Sequence, residues 1–249
     1  MKKTVIITGG TQGIGADIAR EFLEAGHNVL IGARHRSGFA EEIHELLKFQ
    51  EIDVQEESGH RLLVQEALDW SGRLDCYINC AGFSRWSPVE EVDETFWNEM
   101  LNINLKGTFW GCKVAAEHLK PGGAIINVSS LASKRGSVNN SVYCASKFGV
   151  NGITQSLAKE LGSRGVRVNA VCPVYVETPG LLDALENPHA PSKDQDTAKY
   201  LNEFAESQAA LKRLPMGSEV ADVCLYLASE AASAVTGQCI NVDCGVLPQ

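Results

Sequence analysis

Short runs rich in β-branched and other apolar residues alternate along the chain with longer stretches in which apolar positions recur every three or four residues. The short runs fall at 4–8, 28–32, 48–53, 75–79, 124–129, 166–171 and 238–242 and predict seven strands. Between them, Ile14, Ile18, Phe22 and Leu23 share one face of a predicted helix, and so do Val150, Ile153, Leu157 and Leu161. Strand followed by helix from end to end predicts an α/β chain on a doubly wound parallel sheet, because a parallel crossover needs a helix to return the chain. No linker or repeat divides the pattern, so residues 1–249 are expected to form one domain. One segment breaks the rhythm. From 179 to 210 the chain carries Pro179, Pro188 and Pro191 and a polar stretch at 188–196, which predicts a mobile loop or substrate lid over about 179–215.

Composition narrows the classes. A chain of 249 residues with 44% hydrophobic side chains has room for a full core and is not a disordered polymer. It contains no run of about 18 apolar residues, which argues against a membrane partner, and its first apolar run is cut by Gly9, too early for a signal peptide. A cytoplasmic protein is expected. With 31 acidic against 22 basic side chains the net charge is −9, which disfavours a nucleic acid partner. The eight cysteines form no C-x-x-C pair and have no histidine at ligand spacing, so free thiols in a reducing compartment are expected and no metal site.

Strand one runs into Thr8-Gly9-Gly10-Thr11-Gln12-Gly13-Ile14-Gly15, and a helix follows. Glycines at such a turn permit positive φ, let the backbone approach a pyrophosphate and aim the helix N-terminus at its charge, so a dinucleotide ligand is expected. Further along come Asn79-Cys80-Ala81-Gly82, Asn104-Leu105-Lys106-Gly107, Ser129-Ser130 and Tyr143-x-x-x-Lys147. With these motifs in this order, residues 4–245 resemble the short-chain dehydrogenase/reductase family. The resemblance implies a Rossmann-like fold with strand order 3-2-1-4-5-6-7. It also implies an oxidoreductase that moves a hydride between a nicotinamide cofactor and a secondary alcohol or ketone of a small-molecule substrate. Relatives are commonly homotetramers or homodimers built from the helices holding Asn104 and Tyr143 and from the last strand, and the run Phe109-Trp110-Gly111-Cys112 suits such a helix face.

The end of strand two bears on the choice of cofactor. NAD-dependent Rossmann proteins place an acid there, whereas this chain has Ala33 followed by Arg34, His35 and Arg36. A guanidinium without a repelling carboxylate suits a 2′-phosphate, so NADP(H) is expected with Arg34 as its clamp. Gln12, where NADP-preferring relatives often carry a basic residue, keeps NAD(H) as the alternative. The resemblance assigns further cofactor contacts to Gly9, Thr11, Gln12, Gly13, Ile14, Gly15, Asp53, Val54, Asn79, Ala81, Gly82, Pro173, Val176 and Thr178, with Asn79 mainly a brace of the central sheet. Two departures stand out: Pro173-Val174 in place of Pro-Gly, and Asp243-Cys244-Gly245 in place of Asp-Gly-Gly. Valine cannot take all the backbone angles of glycine, so the first predicts an altered turn.

Tyr143 and Lys147 are four apart on a predicted helix and share a face. A tyrosine of pKa about 10 becomes a usable acid or base once a neighbouring ammonium, helped by oxidised nicotinamide, lowers that value. Ser130, at the family's distance upstream, is expected to steady the substrate oxygen; Ser129, on the alternate face, is the poorer candidate. Asn104 is implied to hold a water beside the lysine, and Tyr143 and Lys147 also contact the cofactor. Trp86, Leu131 and Asn140, with Arg85, Ala132, Asn139 and the lid, are expected to line the substrate pocket, a mixture suiting a polyol, a sugar or a small hydroxylated ketone. The alternative is a 3-oxoacyl-[acyl-carrier-protein] reductase. Its acidic carrier would be repelled by Asp183, Glu186, Asp194, Asp196, Glu203 and Glu206 in the lid, unless Arg164, Arg167 and Arg213 formed a docking patch. A non-catalytic NADP sensor is opposed by the intact tyrosine and lysine, and a nucleotide-sugar epimerase by glycine spacing and length.

Overall fold

The computed structural model describes residues 2–248, in which seven strands form one sheet of order β3-β2-β1-β4-β5-β6-β7. They are β1 Thr4–Thr8, β2 Asn28–Ala33, β3 Leu47–Glu51, β4 Cys76–Asn79, β5 Ala124–Val128, β6 Arg167–Pro173 and β7 Cys239–Val242. Every neighbouring pair is parallel. Eight α-helices connect them: α1 Gly13–Glu24, α2 Glu57–Ser71, α3 Glu94–Leu101, α4 Gly107–His118, α5 Ser141–Gly162, α6 Pro179–Leu185, α7 Thr197–Gln208 and α8 Gly217–Ala228. All seven predicted strands are present, β1 with the predicted ends and the others with ends displaced by at most two residues.

The strands read as continuous apolar runs because both faces of the sheet are covered. Alternation within β1 makes this explicit. Val5 and Ile7 join a core with Ile18 and Phe22 of α1 and Val220 and Leu227 of α8, while Ile6 faces the opposite core with Leu63 of α2, Cys112 of α4 and Leu161 of α5. Strand order reverses at β1, which pairs β2 on one side and β4 on the other, so a crevice opens at the carboxyl ends of these strands.

A buried polar chain ties the sheet to α5. Asn79 Nδ2 donates to Asn127 Oδ1 at 2.9 Å, Asn127 Nδ2 donates to Thr154 Oγ1 at 2.9 Å, and the Thr154 hydroxyl donates to the Val150 carbonyl at 2.8 Å. A Cβ at Gly111 would come within 2.0 Å of Asn79 Oδ1, so α4 reaches this brace only because that residue is glycine. Asn79 thus has the structural role expected of it.

The segment expected to be a loop is instead two helices with their own small core. Thr178 Oγ1 accepts from Leu181 N at 3.2 Å to start α6, and Asp196 Oδ1 accepts from Lys199 N at 2.9 Å to start α7. Leu185 and Leu201 then pack with Ala190 on Trp86. The prolines sit at a helix start and in the intervening turns, where they break nothing. None of the helices is long and apolar enough to cross a membrane, and the eight cysteines are unpaired.

The two departures from the family pattern resolve differently. Val174 is not among the described residues with positive φ, so its turn needs no glycine, whereas Cys244 takes φ 53°. An L side chain there carries strain of about 1 kcal/mol. Cys244→Gly is therefore expected to stabilise the chain by about 1 kcal/mol, read as a rise of about 2–4 °C in Tm. An unchanged or lower Tm would contradict that strain.

Candidate active site

The crevice is a continuous cavity of about 1010 Å³ running from the Gly9 loop to Phe204 of α7. At one end Gly9 and Gly13 take φ of 72° and 55°, and a Cβ on Gly15 would lie 2.2 Å from the Gly9 carbonyl oxygen. Only glycine permits this bend, which leaves an open cradle at the N-terminus of α1. Thr11, Gln12, Ile14, Arg34, Asp53, Val54, Ala81, Gly82, Pro173, Val176 and Thr178 line the same cavity. Arg34 is exposed and has no hydrogen-bond or ion-pair partner among the described residues, while Arg36 Nε is taken up by the Ala40 carbonyl at 3.0 Å.

The Asp53–Val54 turn is fixed from behind. The Asp53 carboxylate accepts from Gln55 N at 2.9 Å, and the Val54 carbonyl lies 2.9 Å from His60 Nε2. A carbonyl can only accept, so Nε2 carries the proton and Nδ1 accepts from the Tyr77 hydroxyl at 2.7 Å. Burial lowers the His60 pKa and keeps the ring neutral. Sequence reasoning missed His60, although a polar residue beside Leu63 and Val64 on a helix was the available signal.

Two of the proposed contacts stand behind the cavity wall. Asn79 is spent on Asn127. Asn104 lies in a π-helical turn, Asn102–Lys106, between α3 and α4, and its carboxamide clamps one peptide strand: Nδ2 donates to the Phe83 carbonyl at 2.9 Å and Oδ1 accepts from Phe83 N at 3.0 Å. Its backbone carbonyl accepts from Thr108 Oγ1 at 2.9 Å. The asparagine implied to hold a water thus has its carboxamide on Phe83 and its backbone carbonyl on Thr108. A Cβ on Gly82 would sit 2.9 Å from Asn104 Oδ1 and 3.6 Å from Lys147 Nζ, so asparagine and lysine flank the same glycine.

Lys147, Tyr143 and Ser130 meet at the middle of the cavity. Lys147 is buried at 6% exposure and donates to the Val128 carbonyl at 2.9 Å, with Nζ 5.8 Å from the Tyr143 ring centroid. Burial pulls its pKa down to about 8. Burial pushes the Tyr143 phenol up, opposed by hydrogen bonding with Ser130. The Lys147 ammonium is itself desolvated and turned to the Val128 carbonyl. Ser130 also accepts from Ala132 N at 3.1 Å, whereas Ser129 Oγ turns to the Lys147 carbonyl at 3.4 Å, the alternation expected of a strand end.

At the far end Trp86, Leu131 and Asn140 line the wall as expected, with Ala132 and Arg85. Arg85 is held by Glu99 at 2.9 Å and stacks over Phe96. Asn139 is not in the wall: at φ 56° its carbonyl accepts from Ser87 N at 2.7 Å and its Nδ2 donates to the His189 carbonyl at 3.2 Å. Arg135, Tyr175 and Phe204, not singled out from sequence, complete the wall. Arg167 is buried on the Leu227 carbonyl at 2.6 Å and Arg213 pairs with Glu219 at 2.6 Å, whereas Arg164 is exposed and donates to the neutral Ala116 carbonyl, which leaves its charge open to a partner. No group of residues suited to a metal ion occurs among the described residues.

A family model described as "Enoyl-(Acyl carrier protein) reductase" matches residues 9–247. A ketoacyl reductase assigned to the monensin polyketide synthase of Streptomyces virginiae is 34% identical over 255 residues, covering 98% of this chain and 97% of that protein. The 3-oxoacyl-[acyl-carrier-protein] reductase FabG of Chlamydia pneumoniae is 34% identical over 257 residues, covering 98% and 96%. Among solved structures, a variant actinorhodin polyketide ketoreductase with NADPH superposes with a TM-score of 0.89 at 31% identity over 98% of this chain and 97% of that one. The ligand-free aldohexose dehydrogenase of Thermoplasma acidophilum gives 0.89 at 27% identity over 100% and 98%.

The buried lysine has a consequence for stability. Between about pH 8 and 10.5 the unfolded chain holds a proton on Lys147 that the folded chain has lost, so this residue's contribution to stability rises with pH across that window and is most unfavourable below it. Without nucleotide, Lys147→Met is expected to be more stable than the parent at pH 7 by on the order of 2–3 kcal/mol, with the gap closing from pH 8 towards 10.5. Urea unfolding of both proteins checks this; a gap independent of pH would contradict it.

Proposed function

Because the chain belongs to the short-chain dehydrogenase/reductase family of oxidoreductases, which bind nicotinamide cofactors, we propose that it is an NADP(H)-dependent ketoreductase interconverting a ketone and a secondary alcohol. The observation that carries this reading is the meeting of Ser130, Tyr143 and Lys147 midway between a glycine cradle and a pocket of mixed polar and aromatic lining. When bound, NADP(H) supplies or accepts the hydride. In the reducing direction the ketone oxygen would take the Tyr143 proton as the carbonyl π bond opens and its carbon is reduced, and solvent would later replace that proton. Ser130 steadies the oxygen as its charge develops. Lys147 brings positive charge towards the phenol, and Asn104 positions the strand carrying Gly82 and Phe83 beside it. In oxidation Tyr143 takes the proton back.

Residues lining the cradle would hold the nucleotide: Gly9 to Gly15 at the pyrophosphate, Asp53 and Val54 at the adenine, and Val176 and Thr178 near the nicotinamide. The missing carboxylate at the end of β2, the free Arg34 and the NADPH of the actinorhodin relative support NADP(H) over NAD(H). A polyol, a sugar or a small hydroxylated ketone fits the mixed wall. The names of the curated relatives favour a second reading, 3-oxoacyl-[acyl-carrier-protein] reductase, which the acidic lid, the burial of Arg167 and the pairing of Arg213 oppose. Unpaired thiols support a cytoplasmic location. Exposed Trp97, Phe109 and Phe148 on α3, α4 and α5 support self-association into a dimer or tetramer, with 179–215 as the lid of a single catalytic domain.

Tyr143→Phe is expected to keep NADPH affinity within about twofold while turnover of ketones falls by about a thousandfold or more; near-parental turnover would contradict the assigned acid. Arg34→Gln is expected to weaken NADPH about tenfold or more and to leave NADH nearly unchanged in a fluorescence titration. A parent chain that binds NADH more tightly would overturn the cofactor preference.

A further inference from the structure

The substrate end of the cavity holds a cation with no counterpart. Arg85 is neutralised by Glu99, and Lys147 is taken by Val128. Arg135 is half-buried in the same wall, and its guanidinium has no carboxylate, carbonyl or ring partner among the described residues. Its position is fixed. The 3-10 turn Leu131–Ser133 starts at Ser130, and Arg135 N donates back to the Leu131 carbonyl at 3.3 Å, so Ser130 and Arg135 are the two ends of one short rigid element.

Arg135 looks across at an aromatic cluster. Tyr175 packs on Phe204 and Tyr200 with ring centroids 4.9 and 6.0 Å away, and the Tyr175 and Tyr200 hydroxyls are 3.2 Å apart. The Arg135 charge acts on both phenols, offsetting part of the upward push from their burial, and Tyr175 in turn feels Tyr143. One guanidinium therefore sits in the pocket bounded by the candidate acid, its serine and these rings. A half-buried charge without a counter-ion is costly unless something completes it, and Arg135 lines the cavity where a ligand would. The rim on the lid carries Asp183 and Glu186, exposed to solvent, which disfavour a multiply charged group such as a phosphate.

We infer that the substrate is an oxo acid whose single carboxylate is received by Arg135 while Ser130 and Tyr143 hold its ketone oxygen. This rests on the ketoreductase reading and narrows it from alcohols in general to carboxylated ones. It explains why the turn after Ser130 ends in an arginine.

The test uses the NADPH-loaded protein and four- to six-carbon oxo acids, each beside its methyl ester. The parent is expected to favour acids over esters by about tenfold or more in both kcat/KM and binding. Arg135→Gln is expected to abolish that preference, chiefly through KM for the acids, while keeping its NADPH affinity, and Arg135→Lys to restore part of it. Esters turned over as well as acids, or a preference surviving in Arg135→Gln, would overturn the carboxylate site and leave the ketoreductase reading standing. Acids bound in an Arg135-dependent way without reduction would keep the site and remove the ketoreductase reading. Acids neither bound nor reduced would overturn the proposal.

Discussion

The structure turns on one ammonium group removed from water. Lys147 leaves solvent for a single carbonyl, that of Val128 at the end of β5, and burial of its charge is among the costliest features a fold can carry. Everything around it fixes that position. Asn127 and Thr154 lock β5 to α5, Ser129 ties the end of β5 to the helix carbonyl of Lys147, and Asn104 holds the Phe83 strand against the opposite side. A sheet edge alone would not hold a lysine there. The destabilising position persists because the surrounding helix and sheet hold the ammonium on the Val128 carbonyl at the cavity wall, which is how functional sites retain strain.

Around that centre the chain divides its charge. Although the whole molecule carries −9, the cavity presents a free guanidinium at each end, Arg34 by the glycine cradle and Arg135 by the aromatic pocket, with the lysine between them. An anionic cofactor and an anionic substrate would enter a negatively charged molecule through a locally basic channel, with the acidic lid restricting which anions reach the inner end. Packing sets the separation. β1 and β2 supply one half of the crevice, β5 and β6 the other, and the reversal of strand order at β1 keeps the two halves apart.

Strands were legible because buried parallel strands must be apolar on both faces, and the Tyr143–Lys147 pair because helical period alone puts positions four apart on one face. Family spacing brought out Ser130, and the alternation that separates it from Ser129 followed from strand geometry. The replacement of glycine by Cys244 was visible, and its positive φ gives that substitution its physical meaning. Other features needed three dimensions. Proline and polar residues hid the small core of the lid, because Leu185 and Leu201 are brought together by a turn and covered by Trp86 from a distant segment. The direction of the Tyr143 shift went unseen since burial is a property of the packed cavity, and no spacing reveals that Lys147 faces Val128. Arg135 looked like any loop arginine until the absence of a partner became visible.

Burial raises the Tyr143 pKa, and the proposed acid and base role requires positive charge to be assembled beside the phenol. NMR titration of the Tyr143 ring carbon, with the phenol labelled with carbon-13, reads this directly in the free and the NADP⁺-loaded protein. The account predicts titration above the ordinary tyrosine value of about 10 in the free chain, a clear downward shift on loading, and a smaller shift in Lys147→Met. A Tyr143 pKa already below that value in the free chain, or one unmoved by NADP⁺, would contradict it.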